Sequence, residues 1–422
     1  VRTIITPTPR QHASADPMRL LHVVPSLAPE AGGPARSVAA LVKVLRARGL
    51  SVGLAGKDAG GDDVVPIEHL AFPGEIPTLA SRRALAQAIE RCDLVEIHSV
   101  WNGTVSVTAS MCRSAGVPYV LAPRGMLDPV CLQNRLWLKR VYSGVIEGAT
   151  IEGAAGYHFL SDEERDQAVI GREVADDEIA VAPNAAPTLP PDLPRGALAS
   201  MIPASAGRRV VLYLGRLDPI KGVDLQLRAI AALGERERPL LALVGPDYGD
   251  EGRLRALARE LQIDPWVAWI DPVYGDERFS LLEEADAVLL TSIYDANPVL
   301  VTEALAAGGA LIATEGCGGV AAAGRAGAAI VVPRTSEAVA AAIRSVATEP
   351  RRIAAVRETA AQYAATALAP ERTVLPLLAH YERNVARQRG QSPLSGNDQW
   401  GLSPLSGNEQ PDRARPCRRA SA

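Results

Sequence analysis

Tyr294-Asp295-Ala296-Asn297-Pro298-Val299-Leu300-Val301-Thr302-Glu303-Ala304-Leu305-Ala306-Ala307-Gly308 is the stretch that decides how this chain reads. An apolar, strand-like run at 287–291 precedes it, Asn297-Pro298 opens a helix, and Gly308-Gly309 stops it. Two carboxylates, Asp295 and Glu303, therefore stand on either side of a loop-to-helix junction. Free N–H groups at a helix start bind anions, so the junction suits a phosphate. A ligand with phosphate in the middle and hydroxyl-bearing rings at both ends matches this layout, and a sugar nucleotide has that shape.

Working outward, strand-like and helical stretches alternate along most of the chain. Strands are expected at 19–24, 51–55, 94–98, 119–122, 156–160 and 178–182, with helices at 35–48, 81–91, 105–115, 132–147 and 162–171. Residues 183–207 hold six prolines and little periodicity, the composition of a linker. The alternation then restarts, with strands at 209–214, 240–244, 267–270, 287–291, 310–313 and 329–332 and helical stretches running on to about 388. This is an α/β pattern of two doubly wound domains in tandem, with a cleft between the carboxyl ends of their sheets.

The expected division is a disordered leader at 1–17, a first domain at 18–182, the linker, and a second domain at 208–370. A helix at 371–389 is expected to return to the first domain, ahead of a disordered tail at 390–422 that carries the near-duplicate Ser-Pro-Leu-Ser-Gly-Asn at 392 and 403.

The totals narrow the function classes. A net charge of −4 gives no overall pull toward nucleic acid. Cys92, Cys112, Cys131, Cys317 and Cys417 form no C-x-x-C pair or His/Cys cluster, which fits reduced thiols in a cytoplasmic compartment and no zinc site. No run has the length of a membrane span, and the first 17 residues lack the apolar core of a signal peptide. Asp-x-Asp, G-x-S-x-G and G-x-x-x-x-G-K-[ST] are all absent, so divalent-metal, serine-hydrolase and P-loop devices find no support.

The second domain opens with a strand and then Gly215-Arg216-Leu217-Asp218-Pro219-Ile220-Lys221-Gly222. Arg216 and Lys221 at a strand end would neutralise a diphosphate; the alternative is a surface turn with a helix-capping charge. Gly-Arg-Leu-x-x-x-Lys-Gly, with acid-x7-Glu about 80 residues later and Glu-Ala-Leu-Ala-x-Gly behind it, resembles the retaining glycosyltransferases of family four. The likeness extends over about residues 19–388. It implies two Rossmann-like domains (the GT-B fold), a nucleotide-sugar donor that is UDP- or GDP-linked, and no metal or other cofactor. By this resemblance Arg216 and Lys221 hold the donor diphosphate with Asn297, Pro298 and Val299 at the helix start. Glu303 takes the ribose hydroxyls and Asp295 those of the transferred sugar. The family usually has Glu where this chain has Asp295; the charge is kept and the reach is one methylene shorter.

The first domain adds weaker signals. In the family the loop matching Glu30-Ala31-Gly32-Gly33-Pro34 packs against donor phosphate or acceptor, so Gly32 and Gly33 would allow close backbone approach, and Arg36 could reach an anionic acceptor. His98 ends a strand expected to face the cleft, where the family has a histidine near the transferred sugar; a structural histidine is the other reading. Pro123-Arg124-Gly125-Met126-Leu127 looks like a turn of a bacterial polysaccharide-assembly subgroup, so Arg124 would meet the acceptor, the alternative being a salt-bridged loop arginine.

Leu132 and Leu136 beside Lys139 and Arg140 suggest either contact with an anionic membrane surface or a solvated helix face. The expected acceptor is a saccharide, a lipid-linked oligosaccharide at the cytoplasmic membrane face, with peripheral membrane contact and no nucleic-acid partner. The competing functions are an epimerase or hydrolase of the same fold and a sugar-nucleotide-binding regulator.

Overall fold

Short runs of valine, leucine, isoleucine and alanine, apolar on both faces, suit strands covered by helices on each side. The computed structural model describes residues 17–28, 32–58, 64–69, 75–133 and 147–390, and its strands are runs of this kind. The first sheet contains β1 (Arg19–Ser26), β2 (Ser51–Lys57), β3 (Val64–Pro66), β4 (Leu94–His98), β5 (Tyr119–Ala122), β6 (Gly156–Phe159) and β7 (Ile179–Val181). Its order is β3-β2-β1-β4-β5-β6-β7, with every pair parallel.

The second sheet contains β8 (Val210–Leu214), β9 (Leu240–Val244), β10 (Val267–Ile270), β11 (Ala287–Leu290), β12 (Leu311–Thr314) and β13 (Ile330–Val332). It is ordered β10-β9-β8-β11-β12-β13, also parallel. The chain is thus α/β with two doubly wound sheets. Strand order reverses between β1 and β4 and between β8 and β11, and ligands of such sheets bind beyond the carboxyl ends at those points.

The first helix, α1 (Gly33–Ala47), shows why these segments are helical. Pro34 sits in its first turn, and Ala35, Val38, Val42 and Leu45 recur on one buried face. The short β3 carries no sequence signal of its own: three residues are too few for a period to register.

One feature differs from the free linker expected at 183–207. Ala186, Ala197 and Ile202 are buried in the second domain's core, and Glu284 accepts from the N–H groups of Gly196 and Leu198. Residues 183–207 therefore dock along the second domain, because their alanine and leucine side chains supply apolar surface that the prolines hide in a composition count. The helix Leu375–Gln388 packs in the first domain's core, with Leu377, Leu378, Tyr381 and Val385 against Leu20, Val42, Leu94 and Val120. The two domain crossings run side by side, joined by Ala186 N–H donating to Leu368 O at 2.8 Å.

Most of the expected leader and of the tail, Glu30, Ala31 and residues 134–146, with most of the membrane-facing stripe read there, lie outside the described residues. Among the described residues no helix is long and apolar enough to cross a membrane.

Candidate active site

Helix starts and strand ends converge on one cleft of about 340 Å³ between the domains. Gly32, Gly33, Arg36 and Arg124 line it from the first domain, and Arg216, Lys221, Asp295, Asn297, Pro298, Val299 and Glu303 from the second. The start of α1 meets the start of the helix Val299–Ala306: a Cβ on Gly33 would sit 3.4 Å from Val299 Cγ2. Two positive helix ends facing one space favour an anion there.

The second-domain wall is built on β8 and β11. After β8 the chain turns through Arg216, whose guanidinium lies 4.8 Å from the centre of the Tyr248 ring, to Lys221 and Gly222. Gly222 has φ +61, and a side chain there would strike Thr291 O at 2.3 Å, so the turn presses directly on the end of β11. Ile293 N–H donates to Ile220 O at 2.7 Å and fastens the loop after β11 to this turn. The Lys221 ammonium consequently pairs with the Asp295 carboxylate, each side chain about one-fifth exposed.

Glu303, 2% exposed, lies in the first turn and a half of its helix. It pairs with Arg278 of its own domain and, at 3.6 Å, with Arg36 across the cleft. Burial pushes its carboxyl above the ordinary value, and the two arginines oppose that shift. Its Oε2 is buried with no hydrogen-bond partner among the described residues. Arg36 thus faces a second-domain carboxylate.

On the first-domain wall, Ser99, Trp101 and Arg124 hold positive φ angles of 76°, 62° and 55° at the carboxyl edge of β4 and β5. Such strain, about 1–3 kcal/mol each, concentrates at functional sites. Glu164 secures the turn by accepting from the N–H groups of Gly125 and Leu160. Gly125, with φ +83, leaves room for the opposite domain: a Cβ would lie 3.0 Å from both Ala296 Cβ and Tyr294 Cε1. Arg124 makes no carboxylate ion pair among the described residues. Its Nη1 donates to Asn184 Oδ1 at 3.1 Å, and its Nη2 to His98 Nδ1 at 3.1 Å.

His98 does not reach the cleft, contrary to the expectation from its strand end. It is fully buried behind Arg124, stacked beside His22, with Glu96 nearby. Its side chain points to the sheet face covered by the helix Leu375–Gln388, whose Tyr381 hydroxyl donates to Glu96.

His22, Glu96 and His98 are the one group of metal-ligand spacing among the described residues. Hydrogen bonds already engage these atoms: Arg124 can only donate, so His98 Nδ1 accepts and its Nε2–H donates to His22 Nδ1 at 3.0 Å. A guanidinium 3.1 Å from His98 also opposes a second cation.

Burial lowers His22 to about 4 and His98 well below its ordinary value. A histidine with a depressed folded value is protonated first in the unfolded chain, so its contribution is complete above pH 6.5 and is lost as pH falls toward 4. Melting scans should be flat from pH 7 to 8 and drop by roughly 5 °C or more at pH 5. The His22→Gln variant should fall less steeply; a wild-type profile that stays level down to pH 5 would refute the neutral-pair description.

Sequence reasoning missed Asn184 and Arg278. Asn184 sits in Val-Ala-Pro-Asn at the end of β7 and Arg278 in the first turn of the helix Glu277–Glu284, and position at a strand end or helix start was the available signal.

The chain is 29% identical over 171 residues to the D-inositol 3-phosphate glycosyltransferase of Saccharomonospora viridis, covering 36% of this chain and 40% of that one. It is 34% identical over 120 residues to the Corynebacterium urealyticum protein of the same name, covering 27% and 28%. The chain spans only 25–40% of the length of the curated relatives it matches. Two solved structures share the fold over nearly their whole length. Anabaena HepE in complex with UDP and glucose has a TM-score of 0.66 at 17% identity, covering 86% of this chain and 99% of that one. Sucrose-phosphate synthase from Thermosynechococcus elongatus has 0.65 at 18%, covering 87% and 100%. A glycosyl transferase 4-like domain model matches residues 32–185 and the glycosyl transferases group 1 model matches residues 201–365, one on each doubly wound sheet. On this two-domain GT-B frame, the chain belongs to the group 1 glycosyl transferases.

Proposed function

We propose that the chain moves a sugar from a nucleotide sugar to a saccharide acceptor with retention at the anomeric carbon. The observation that carries this reading is the cleft in which Arg216, Lys221 and two helix starts meet between Asp295 and Glu303. The donor is UDP-linked before GDP-linked, a preference supported by the UDP-bound state of the similar HepE structures.

In the proposed reaction the donor diphosphate takes over Lys221 from Asp295, which frees Asp295 for the sugar hydroxyls. Arg216, Lys221 and the backbone N–H groups of Asn297 and Val299 stabilise the charge that grows on the leaving oxygen. The bond from the anomeric carbon to the phosphate oxygen breaks while the acceptor oxygen bonds on the same face. The acceptor proton passes to the leaving phosphate, and no protein nucleophile is required. Glu303 takes the ribose hydroxyls, Arg36 and Arg124 meet the acceptor, and His98 acts by holding Arg124.

The acceptor class in this proposal is a lipid-linked oligosaccharide of exopolysaccharide, capsule or O-antigen synthesis, met at the inner face of the cytoplasmic membrane. The Arg124 turn supports it, as does the fold shared with WaaG, a glycosyltransferase of lipopolysaccharide biosynthesis, at 19% identity and a TM-score of 0.61.

The test is a product assay with UDP-glucose or GDP-mannose, with and without lipid-linked acceptors, read by proton NMR at the anomeric centre. An acceptor-dependent product with the donor's anomeric configuration supports the proposal. Free sugar and nucleotide without acceptor would favour a hydrolase or epimerase, and binding without turnover a regulator.

A further inference from the structure

Asn184 stands at the first crossing between the domains, three residues beyond the end of β7. Its amide has two partners of opposite kind. Arg124 Nη1 donates to its Oδ1 at 3.1 Å, and its Nδ2 donates to Asn297 O at 3.0 Å. A guanidinium cannot accept and a carbonyl cannot donate, so these partners fix which way the amide points. Asn297 precedes Pro298, the cap of the helix Val299–Ala306. One neutral side chain thus joins the strained first-domain turn to the loop that aims the second domain's helix start.

Behind Arg124 the same row of contacts continues into the first domain. His98 accepts from Arg124 Nη2 and donates to His22. Glu96 takes the hydroxyl of Tyr381 and, at 2.7 Å, His158 Nδ1–H. The His158 Nε2 lies 2.9 Å from Ala182 O, two residues before Asn184. Arg124 is therefore held from behind, and Asn184 carries its position forward to the donor loop.

We propose that Asn184 is a positioning residue that couples the two walls: it sets the Asn297–Val299 helix start relative to Arg124, so that a change at either wall is felt at the other. This rests on the nucleotide-sugar reading of the cleft. Asp would keep the contact to Arg124 but set an acceptor against Asn297 O; Ala would lose both contacts.

The test is calorimetric titration of UDP into the full chain and into Asn184→Asp, Asn184→Ala, Arg124→Ala and the Arg124→Ala/Asn184→Ala double variant. Wild-type binding is the control: if the folded wild type binds no UDP, the nucleotide reading fails and takes this coupling with it. With wild-type binding in hand, Asn184→Asp should weaken UDP by about tenfold or more at an unchanged melting temperature. Arg124→Ala should weaken UDP about fivefold in the wild-type background and less than about twofold in Asn184→Ala, since the cycle isolates the shared part. If Asn184→Ala does not fold, the cycle is run on Asn184→Ser, whose short side chain cannot span both partners, with the same expectation. Wild-type affinity in Asn184→Asp, or losses from Arg124 and Asn184 that simply multiply, would overturn the coupling while leaving the nucleotide site intact.

Discussion

Lys221→Ala should lower kcat by about a hundredfold with little loss of stability. Removing one preorganised donor to a developing anion costs about 10²–10³ in rate. Lys221 is the ammonium that the turn after β8 delivers against Asp295, and the turn's own backbone contacts do not depend on its side chain. The Lys221 and Asp295 side chains keep 18% and 19% of their surface exposed, so water can screen the carboxylate left behind. Stability should therefore change by about 1 kcal/mol or less, the scale of a screened pair. Steady-state kinetics and a melting scan on the same preparation separate the two effects. A kcat within about threefold of wild type would remove Lys221 from the leaving-group role assigned by analogy with other preorganised sites.

Glu303→Gln should act mainly on donor binding, raising the donor KM by about tenfold or more and changing kcat less, since the proposed function assigns the group to the ribose, remote from the reacting carbon. It should also cost stability, in contrast to Lys221→Ala. Glu303 is 2% exposed and faces Arg278, whose side chain is 13% exposed, so neutralising it strands a largely buried cation. Breaking a buried pair costs about 3–5 kcal/mol, and the 40% exposure of Arg36 keeps the loss toward the lower end. Thermal melts with and without UDP read both parts. A donor KM equal to wild type at a lowered melting temperature would make Glu303 a structural residue of the domain interface.

The two sheets were legible because strand after strand is a short apolar run bounded by turn residues, and β4, β5, β9 and β10 coincide with those runs to the residue. The cleft was legible for a related reason. Arg216, Lys221, Asp295 and Glu303 fall at strand ends or helix starts, and in a parallel sheet all such ends share one side.

What stayed hidden depends on contacts distant in sequence. His98 ends its strand as read, yet its side chain lies on the face covered by Tyr381, which meets Glu96 from 285 residues away. Asn184 lies in a proline-rich stretch whose composition reads as linker, and its partner Asn297 O is 113 residues on. Arg278 gains meaning only because Glu303, 25 residues later, folds back against it. Local periodicity carries no information about which of two faces a remote helix will cover.

The most direct test of the donor site is calorimetric binding of UDP and of GDP to the full chain and to Lys221→Ala, in EDTA. The account predicts that one nucleotide binds without metal and that Lys221→Ala weakens it by about tenfold or more. A folded protein that binds neither nucleotide would contradict it.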